Sequence, residues 1–157
     1  MASRNKNDIP VDRKKADELL YRSLRAVYHF EKSLEVRFGL GYQEIYLLQL
    51  LRRRESVRVS EIASALGIQV FSATRLVQRL ESLNYISKER AGYDHRVVMV
   101  RLEAEGDRFV DGVEAFSYEL IGGNAALLNR DGQAAFIRVA ESIDQVLGVE
   151  DLIEDDK

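Results

Sequence analysis

The chain has 157 residues, a formal net charge of −3 and no cysteine. This length suits one well-filled domain, and the lack of cysteine excludes disulfides, thiolate zinc sites and cysteine redox switches. There is no run of about eighteen apolar residues to span a membrane, and residues 1–17 lack the apolar core of a signal peptide. We therefore expect a cytoplasmic protein that has no membrane partner.

The charge is distributed unevenly along the chain. Residues 1–51 carry a net charge of +2, residues 52–101 carry +5, and residues 102–157 carry −10. A basic block can be an ordinary solvated surface, or it can mark an element that docks on nucleic acid. Where the basic side chains fall within the predicted elements distinguishes these interpretations.

Two helices are predicted before the basic block. Residues 12–38 repeat apolar side chains at helical spacing, and Gly39 and Gly41 end this helix. Residues 42–54 form a second helix whose leucines and isoleucine face inward. The first helix is apolar enough to pack on two sides.

The basic block itself contains a predicted helix-turn-helix. After a short extended piece at Val57–Val59, Ser60 caps a third helix that Gly67 ends. The fourth helix spans Val70–Leu83, and Asn84 tolerates the left-handed conformation that follows a helix end. One stripe of the fourth helix is apolar, and its opposite face is narrow and cationic. The apolar stripe comprises Ala73, Leu76, Val77, Leu80 and Leu83, and the opposite face Ser72, Arg75, Arg79 and Ser82.

A β-hairpin is predicted directly after the helix pair. Ile86–Arg90 and Val97–Leu102 are short strand-like runs that flank a loop at Ala91–Arg96. A helix-turn-helix followed at once by a hairpin is a winged helix-turn-helix. Two more helices, Glu103–Leu128 and Asp131–Leu147, follow the hairpin. The predicted fold class is therefore mainly α with a small β-hairpin wing.

The fourth helix provides the candidate residues for reading DNA. The second helix of such a pair enters the major groove, and its N-terminal half meets the base edges. Arginine can fork onto guanine, glutamine can pair with adenine, and Phe71 can press on a thymine methyl. For Arg75 and Arg79 the alternative is a solvated helix face. The candidates for base contact are Gln69, Phe71, Ser72, Thr74, Arg75 and Gln78, and those for phosphate contact are Arg79, Lys88 and Arg90.

The predicted hairpin tip carries Asp94, His95 and Arg96. A flexible arginine at such a tip can enter the minor groove, where the negative potential is strongest. His95 lies beside it as a further DNA-contact candidate, and Asp94 would orient Arg96 through a salt link. The alternative for Asp94 is an ordinary turn residue.

Three blocks of the chain, in this order and spacing, resemble the MarR family of winged-helix regulators. They are Ser72–Glu81, Asp94–Arg96 and Val100–Gly106, with supporting matches at Val59–Ala63 and Gln43–Leu51. The resemblance covers nearly the whole chain and implies a triangular homodimer on a palindromic operator, with half-sites about 34 to 36 Å apart. It also implies repression that a small aromatic or phenolic ligand relieves. The chain departs from the family pattern at Gln69–Phe71, where a small polar cap is usual.

On this interpretation residues 1–157 form a single domain. Residues 42–102 are the winged helix-turn-helix lobe for DNA binding, residues 12–41 and 103–147 supply dimerisation helices, and residues 148–157 are an acidic tail. Both terminal regions are more apolar than one small lobe requires, which favours a homodimer.

The first two helices hold a candidate effector site near the cleft that the resemblance implies. Aromatic walls with one arginine suit an aromatic carboxylate. The tyrosines can equally be amphipathic packing residues, and His29 an ordinary interface histidine. The candidates are Tyr21, Arg25, Tyr28, His29, Tyr42 and Tyr46.

Nothing in the sequence indicates catalysis, a cofactor or a metal site. There are two histidines, no cysteine and no carboxylates at metal-ligand spacing. Nor is there a phosphate loop or a nucleophile paired with a base. We expect a sequence-specific regulator that binds duplex DNA, most simply a repressor. The alternatives are a winged-helix module that binds proteins and a ligand-binding dimer that no longer binds DNA.

Overall fold

A computed structural model describes residues 12–91 and 94–149, without the side chains of residue 91 and residues 94–96. The chain divides into two compact units, Met1–Tyr42 and Gln43–Lys157. The described residues form helices α1 (Arg13–Phe38), α2 (Tyr42–Arg52), α3 (Val59–Ala65), α4 (Val70–Ser82), α5 (Ala104–Ala125), α6 (Arg130–Glu141) and α7 (Ile143–Leu147), and strands β1 (Val57–Arg58), β2 (Ile86–Ala91) and β3 (Asp94–Leu102).

Helix α1 makes up most of the first unit and matches its predicted span. The Asp12 carboxylate caps it by accepting the Lys15 backbone N–H at 3.0 Å. Gly39, at φ 76°, ends it in the left-handed region. Most of the apolar side chains of α1 are exposed, among them Leu19, Leu20, Leu24 and Val27.

The second unit holds a helical core beside a three-stranded antiparallel sheet in the order β1-β3-β2. Val57 on β1 pairs with Val100 on β3, and Ile86 on β2 pairs with Leu102. Buried apolar side chains from the helices and the sheet form this core. They include Ile45, Leu47, Leu48, Leu50, Leu51, Val57, Ile62, Ala63, Ala73, Val77, Leu80, Ile86, Val100, Val110 and Val113.

The start of α5 packs tightly against the residue that precedes the wing. The Glu103 backbone N–H donates to the Tyr85 carbonyl at 2.9 Å, and the rings of Tyr85 and Phe109 lie 4.9 Å apart. Gly106 is buried here, and a Cβ added to it would lie 2.2 Å from the Tyr85 carbonyl oxygen. Glycine at position 106 therefore permits this close approach.

Three predictions about the winged lobe are wrong in detail. Helix α3 begins at Val59, so Ser60 is not its cap; Arg58 takes that place, and its backbone N–H donates to the Glu61 carboxylate at 2.8 Å. Strand β3 begins at Asp94 rather than Val97, because Ala91 pairs with Asp94 across an irregularity after Arg90. Leu83, predicted to lie on the apolar stripe of α4, is 40% exposed and follows the end of the helix.

The C-terminal helices also differ from the prediction. The last helix was expected to run from residue 131 to residue 147, but Ser142, at φ −128°, separates α6 from α7. No side chain of α6 or α7 is buried. Exposed apolar residues here and at the end of α5 include Leu120, Ile121, Leu128, Phe136, Ile137, Ile143 and Leu147. Among the described helices, none is long and apolar enough to cross a membrane.

Candidate nucleic-acid interface

Helices α3 and α4 form the helix-turn-helix that the sequence predicts. Gly67, at φ 60°, reverses the chain after α3. Gln69 then adopts an extended conformation, and its carbonyl accepts the Ser72 and Ala73 backbone N–H groups at 2.9 and 3.1 Å. The side chain of Gln69 makes no capping bond, so its amide is not used to hold the helix end.

Helix α4 has one buried stripe and one exposed face. Ala73, Val77 and Leu80 are buried, at the i, i+4 and i+7 spacing of one helix face. At 3.6 residues per turn, Phe71 and Arg75 point within about 30° of the opposite direction. Phe71 is 67% exposed, so its ring is available for contact with a binding partner.

The other base-contact candidates surround these two residues. Gln69, Thr74 and Gln78 are exposed, and Ser72 is half-buried. The Thr74 hydroxyl donates to the Val70 carbonyl at 2.9 Å, which leaves its oxygen able to accept a hydrogen bond. The fold therefore brings the predicted base-contact residues together on the first two and a half turns of α4.

The two arginines of α4 have different surroundings. Arg75 is exposed and makes no ion pair or hydrogen bond with any residue in the described part of the chain. Arg79 instead places Nη1 2.9 Å from Glu44 Oε1 on α2. A guanidinium without an internal partner can bind a ligand without first breaking a contact.

The wing provides the cationic side chains that border α4. Lys88 on β2 pairs with Glu81 of α4 at 2.6 Å, and Arg90 is exposed. Lys88 and Thr74 both line a groove of about 410 Å³ between α4 and the sheet. Strand β3 contains the backbone of residues 94–96, but the side chains of Asp94, His95 and Arg96 lie outside the described residues.

The effector candidates lie on helices α1 and α2. Tyr21, Arg25 and Tyr28 share one face of α1, at i, i+4 and i+7. Next to them, the His29 ring meets the Tyr28 ring edge-on at 5.5 Å. The two remaining candidates are on α2, where Tyr42 is exposed and Tyr46 is half-buried. In the described residues no group of three His, Cys, Asp or Glu could hold a metal ion.

An ion-pair network between α2 and α5 was not found from the sequence. Arg52 Nε donates to Asp107 Oδ1 at 2.7 Å, and its Nη atoms donate to Asp111 at 2.8 Å and Glu114 at 3.0 Å. Partial burial lowers the pKa of Arg52, but the hydrogen bonds to Asp107 and Asp111, together with the negative charges of these carboxylates, outweigh it and raise the pKa above its ordinary value. The signal available in the sequence was the spacing of Asp107, Asp111 and Glu114 at i, i+4 and i+7 on one helix. The arginine that pairs with them comes from another helix.

Comparison with protein families identifies regulators of transcription. The family model described as "Transcriptional regulator SarA/Rot" matches residues 29–113. The HTH-type transcriptional regulator SarR of Staphylococcus aureus is 36% identical over 76 residues, which are 47% of this chain and 66% of SarR, just under two thirds. The HTH-type transcriptional repressor MdtR of Bacillus subtilis is 28% identical over 125 residues, covering 74% of this chain and 76% of MdtR.

Solved structures show the same fold. A MarR family protein from Bacillus stearothermophilus superposes with a TM-score of 0.72 at 17% identity, covering 88% of this chain and 99% of that one. Streptococcus pneumoniae FabT, solved in complex with DNA, gives a TM-score of 0.71 at 20% identity over 87% of this chain and 98% of FabT. The MarR-like winged-helix fold predicted from the sequence is confirmed.

Proposed function

Because the chain belongs to the SarA/Rot family of transcriptional regulators, we propose that it binds duplex DNA sequence-specifically and represses transcription. Its relatives SarR and MdtR are regulators of transcription and not enzymes. FabT, which shares the fold, has been solved with DNA bound. SarR and MdtR are bacterial proteins, and bacterial DNA lies in the cytoplasm, so we place this protein there.

The exposed face at the start of α4 is the observation that carries this proposal. Arg75 and Phe71 point away from the buried stripe, and Arg75 has no partner in the described part of the chain. A guanidinium fork matches the O6 and N7 atoms of guanine, and an exposed phenyl ring matches a thymine methyl. With α4 in the major groove, both groups reach base edges.

The remaining candidates fall into base-reading and backbone-binding sets. Gln69, Ser72, Thr74 and Gln78 border Arg75 and Phe71 on α4 and would complete the base contacts. Arg90 on β2 would bind a phosphate, and Lys88 would bind one by exchanging its ion pair with Glu81 for it. At the wing, Arg96 and His95 would contact DNA and Asp94 would orient Arg96.

Two variants that each remove one positive charge test this proposal. Arg75→Ala removes a cation from the exposed face of α4, whereas Arg108→Ala removes one from α5 that is paired with Glu105. Losing one bidentate base contact should weaken binding about 5- to 150-fold, and the control should bind like the wild type. The measurement is fluorescence anisotropy on a duplex that the wild-type protein selects from a random-sequence pool. Equal affinities for the two variants would contradict the assignment of Arg75.

We also propose that the protein acts as a homodimer. Apolar side chains along α1, and separately from Leu120 to Leu147, are exposed in the single chain, and exposed apolar surface of this kind marks an interaction site. A second copy offers the same surfaces, as an isologous two-fold contact requires. Two winged lobes would then meet the two halves of a palindromic site.

A small aromatic or phenolic effector that relieves repression completes the proposal. Support comes from the shared α1 face of Tyr21, Arg25 and Tyr28, and His29, Tyr42 and Tyr46 are the further candidates on α1 and α2. An aromatic carboxylate would stack on the tyrosines and pair with Arg25. The test is a panel of aromatic acids added to the protein–DNA complex. If one acid releases DNA from the wild-type protein but not from Arg25→Gln, the result would support this site. If no acid releases DNA from the wild-type protein, the result would contradict the site.

A further inference from the structure

An ion pair joins the recognition helix to α2. Arg79 Nη1 lies 2.9 Å from Glu44 Oε1, and the contact is ionic rather than an aligned hydrogen bond. The two side chains differ in exposure, 57% for Arg79 and 5% for Glu44. Glu44 is the one buried charged residue in the part of the chain that the structure describes.

The burial of Glu44 makes a cationic neighbour valuable. A carboxylate withdrawn from water is costly unless a positive group or hydrogen bonds compensate it. Glu44 lies in the first turn of α2, immediately before the buried residues Ile45, Leu47 and Leu48. The Arg79 guanidinium is therefore attracted to a fixed point on a helix that is itself anchored in the core.

The position of Arg79 along α4 separates it from Phe71 and Arg75, which carry the proposed base reading. Arg79 lies about 13 Å along the axis from Val70, at 1.5 Å per residue, whereas base edges meet the N-terminal half of the recognition helix. Its charge is also balanced by Glu44, which weakens its attraction to a phosphate. Both features distinguish Arg79 from Arg75.

We propose that Arg79 is a positioning residue, whose ion pair with Glu44 sets the orientation of α4 on α2, and not the phosphate ligand that the sequence predicted. The inference rests on the proposed DNA binding. Core packing through Ala73, Val77 and Leu80 holds one side of α4. The Glu44 contact adds a second point of attachment on a different side of the helix, near its C-terminal end, and the two together fix its rotation.

Glu44→Gln gives opposite results under the two roles of Arg79. If the pair positions α4, losing the carboxylate weakens binding to the selected duplex, by about tenfold for a residue in one coupled network. If Arg79 is a phosphate ligand, losing the carboxylate frees its charge and tightens binding. Tightened or unchanged binding by Glu44→Gln would overturn the proposal about Arg79. Failure of the wild-type protein to bind any duplex would instead overturn the proposed function, and this inference with it.

The salt dependence of a second variant keeps the test decisive if Glu44→Gln does not fold. Arg79→Gln should lower affinity but leave the slope of log K against log salt unchanged, because no phosphate contact is lost. Arg90→Gln, an exposed cation on the wing, is the control and should reduce the slope by about 0.9. A reduced slope in Arg79→Gln would overturn the proposal.

A double variant measures the coupling directly. If Arg79 acts through Glu44, then Glu44→Gln combined with Arg79→Gln should cost no more affinity than either change alone. Independent roles would make the two losses multiply, which would contradict the inference. Thermal melting of each variant reports whether the fold persists.

Discussion

The contact between α5 and the residue before the wing makes Gly106 a sensitive position. An added Cβ would lie 2.2 Å from the Tyr85 carbonyl oxygen, 3.0 Å from the Tyr85 carbonyl carbon and 2.8 Å from Leu102 Cδ1. The first two atoms are backbone, and the carbonyl also accepts the Glu103 N–H. Gly106→Ala therefore forces α5 away from Tyr85 or breaks that hydrogen bond.

Gly112→Ala is the matched control on the same helix, because a Cβ there meets nothing within 4 Å. Both substitutions gain about 0.5 to 1 kcal/mol from replacing glycine by alanine in a helix. Only Gly106→Ala incurs overpacking, which costs about 1 to 3 kcal/mol. The difference between the two variants isolates the steric effect, and Gly106→Ala should be the less stable by that amount.

Denaturation followed by circular dichroism measures this difference. Both variants are compared at one protein concentration, because the proposed dimerisation would make the midpoint concentration-dependent. At about 2 to 4 °C per kcal/mol for a chain of this size, Gly106→Ala should melt several degrees below Gly112→Ala. Equal melting temperatures would refute the account of the junction between α5 and the wing.

Three further predictions follow from the same structure. Replacing a contacted thymine by deoxyuridine should weaken wild-type binding about fourfold, because the contact with one methyl group is lost. The Phe71→Ala variant should bind the two duplexes equally. Equal wild-type affinity for both duplexes would contradict the contact between Phe71 and the methyl group. Arg52→Met should lower the free energy of unfolding by about 1 to 2 kcal/mol, and Arg108→Met should change it little. Because the pKa of Arg52 is raised, its contribution to folding stability is complete below the ordinary arginine pKa and is lost only as pH rises through the raised value. The decrease in the free energy of unfolding caused by Arg52→Met should therefore be constant from about pH 6 to pH 9. A decrease that varies over this range would argue against the ion-pair network as its cause. If α6 lies in the proposed two-fold interface, Phe136→Glu should weaken that dimer about 100-fold or more, because the change occurs twice. An unchanged sedimentation profile would rule out α6 as part of the interface.

The helices of the winged lobe could be predicted because their burial follows the helical period. Ala73, Val77 and Leu80 recur on one face of α4, so the sequence places Arg75 on the other face. The start of α3 could not be found in the same way. Its capping bond uses the backbone N–H of Arg58, which any residue type except proline supplies, and only Glu61 marked it.

The roles of charged residues depend on partners that are distant in sequence. The sequence assigned Arg79 to a phosphate because it shares the cationic face of α4 with Arg75, and only the fold brings Glu44 beside it. Arg52 and its three acidic partners likewise come together across α2 and α5. The break at Ser142 has no glycine or proline within five residues to indicate it.

Selection of DNA from a random-sequence pool tests the central claim most directly. The recovered duplexes should share a palindromic sequence whose half-sites lie about one helical turn apart, and affinity for them should fall steeply with salt. Recovery of no shared sequence, with affinity equal to that for a scrambled duplex, would contradict sequence-specific binding by this chain.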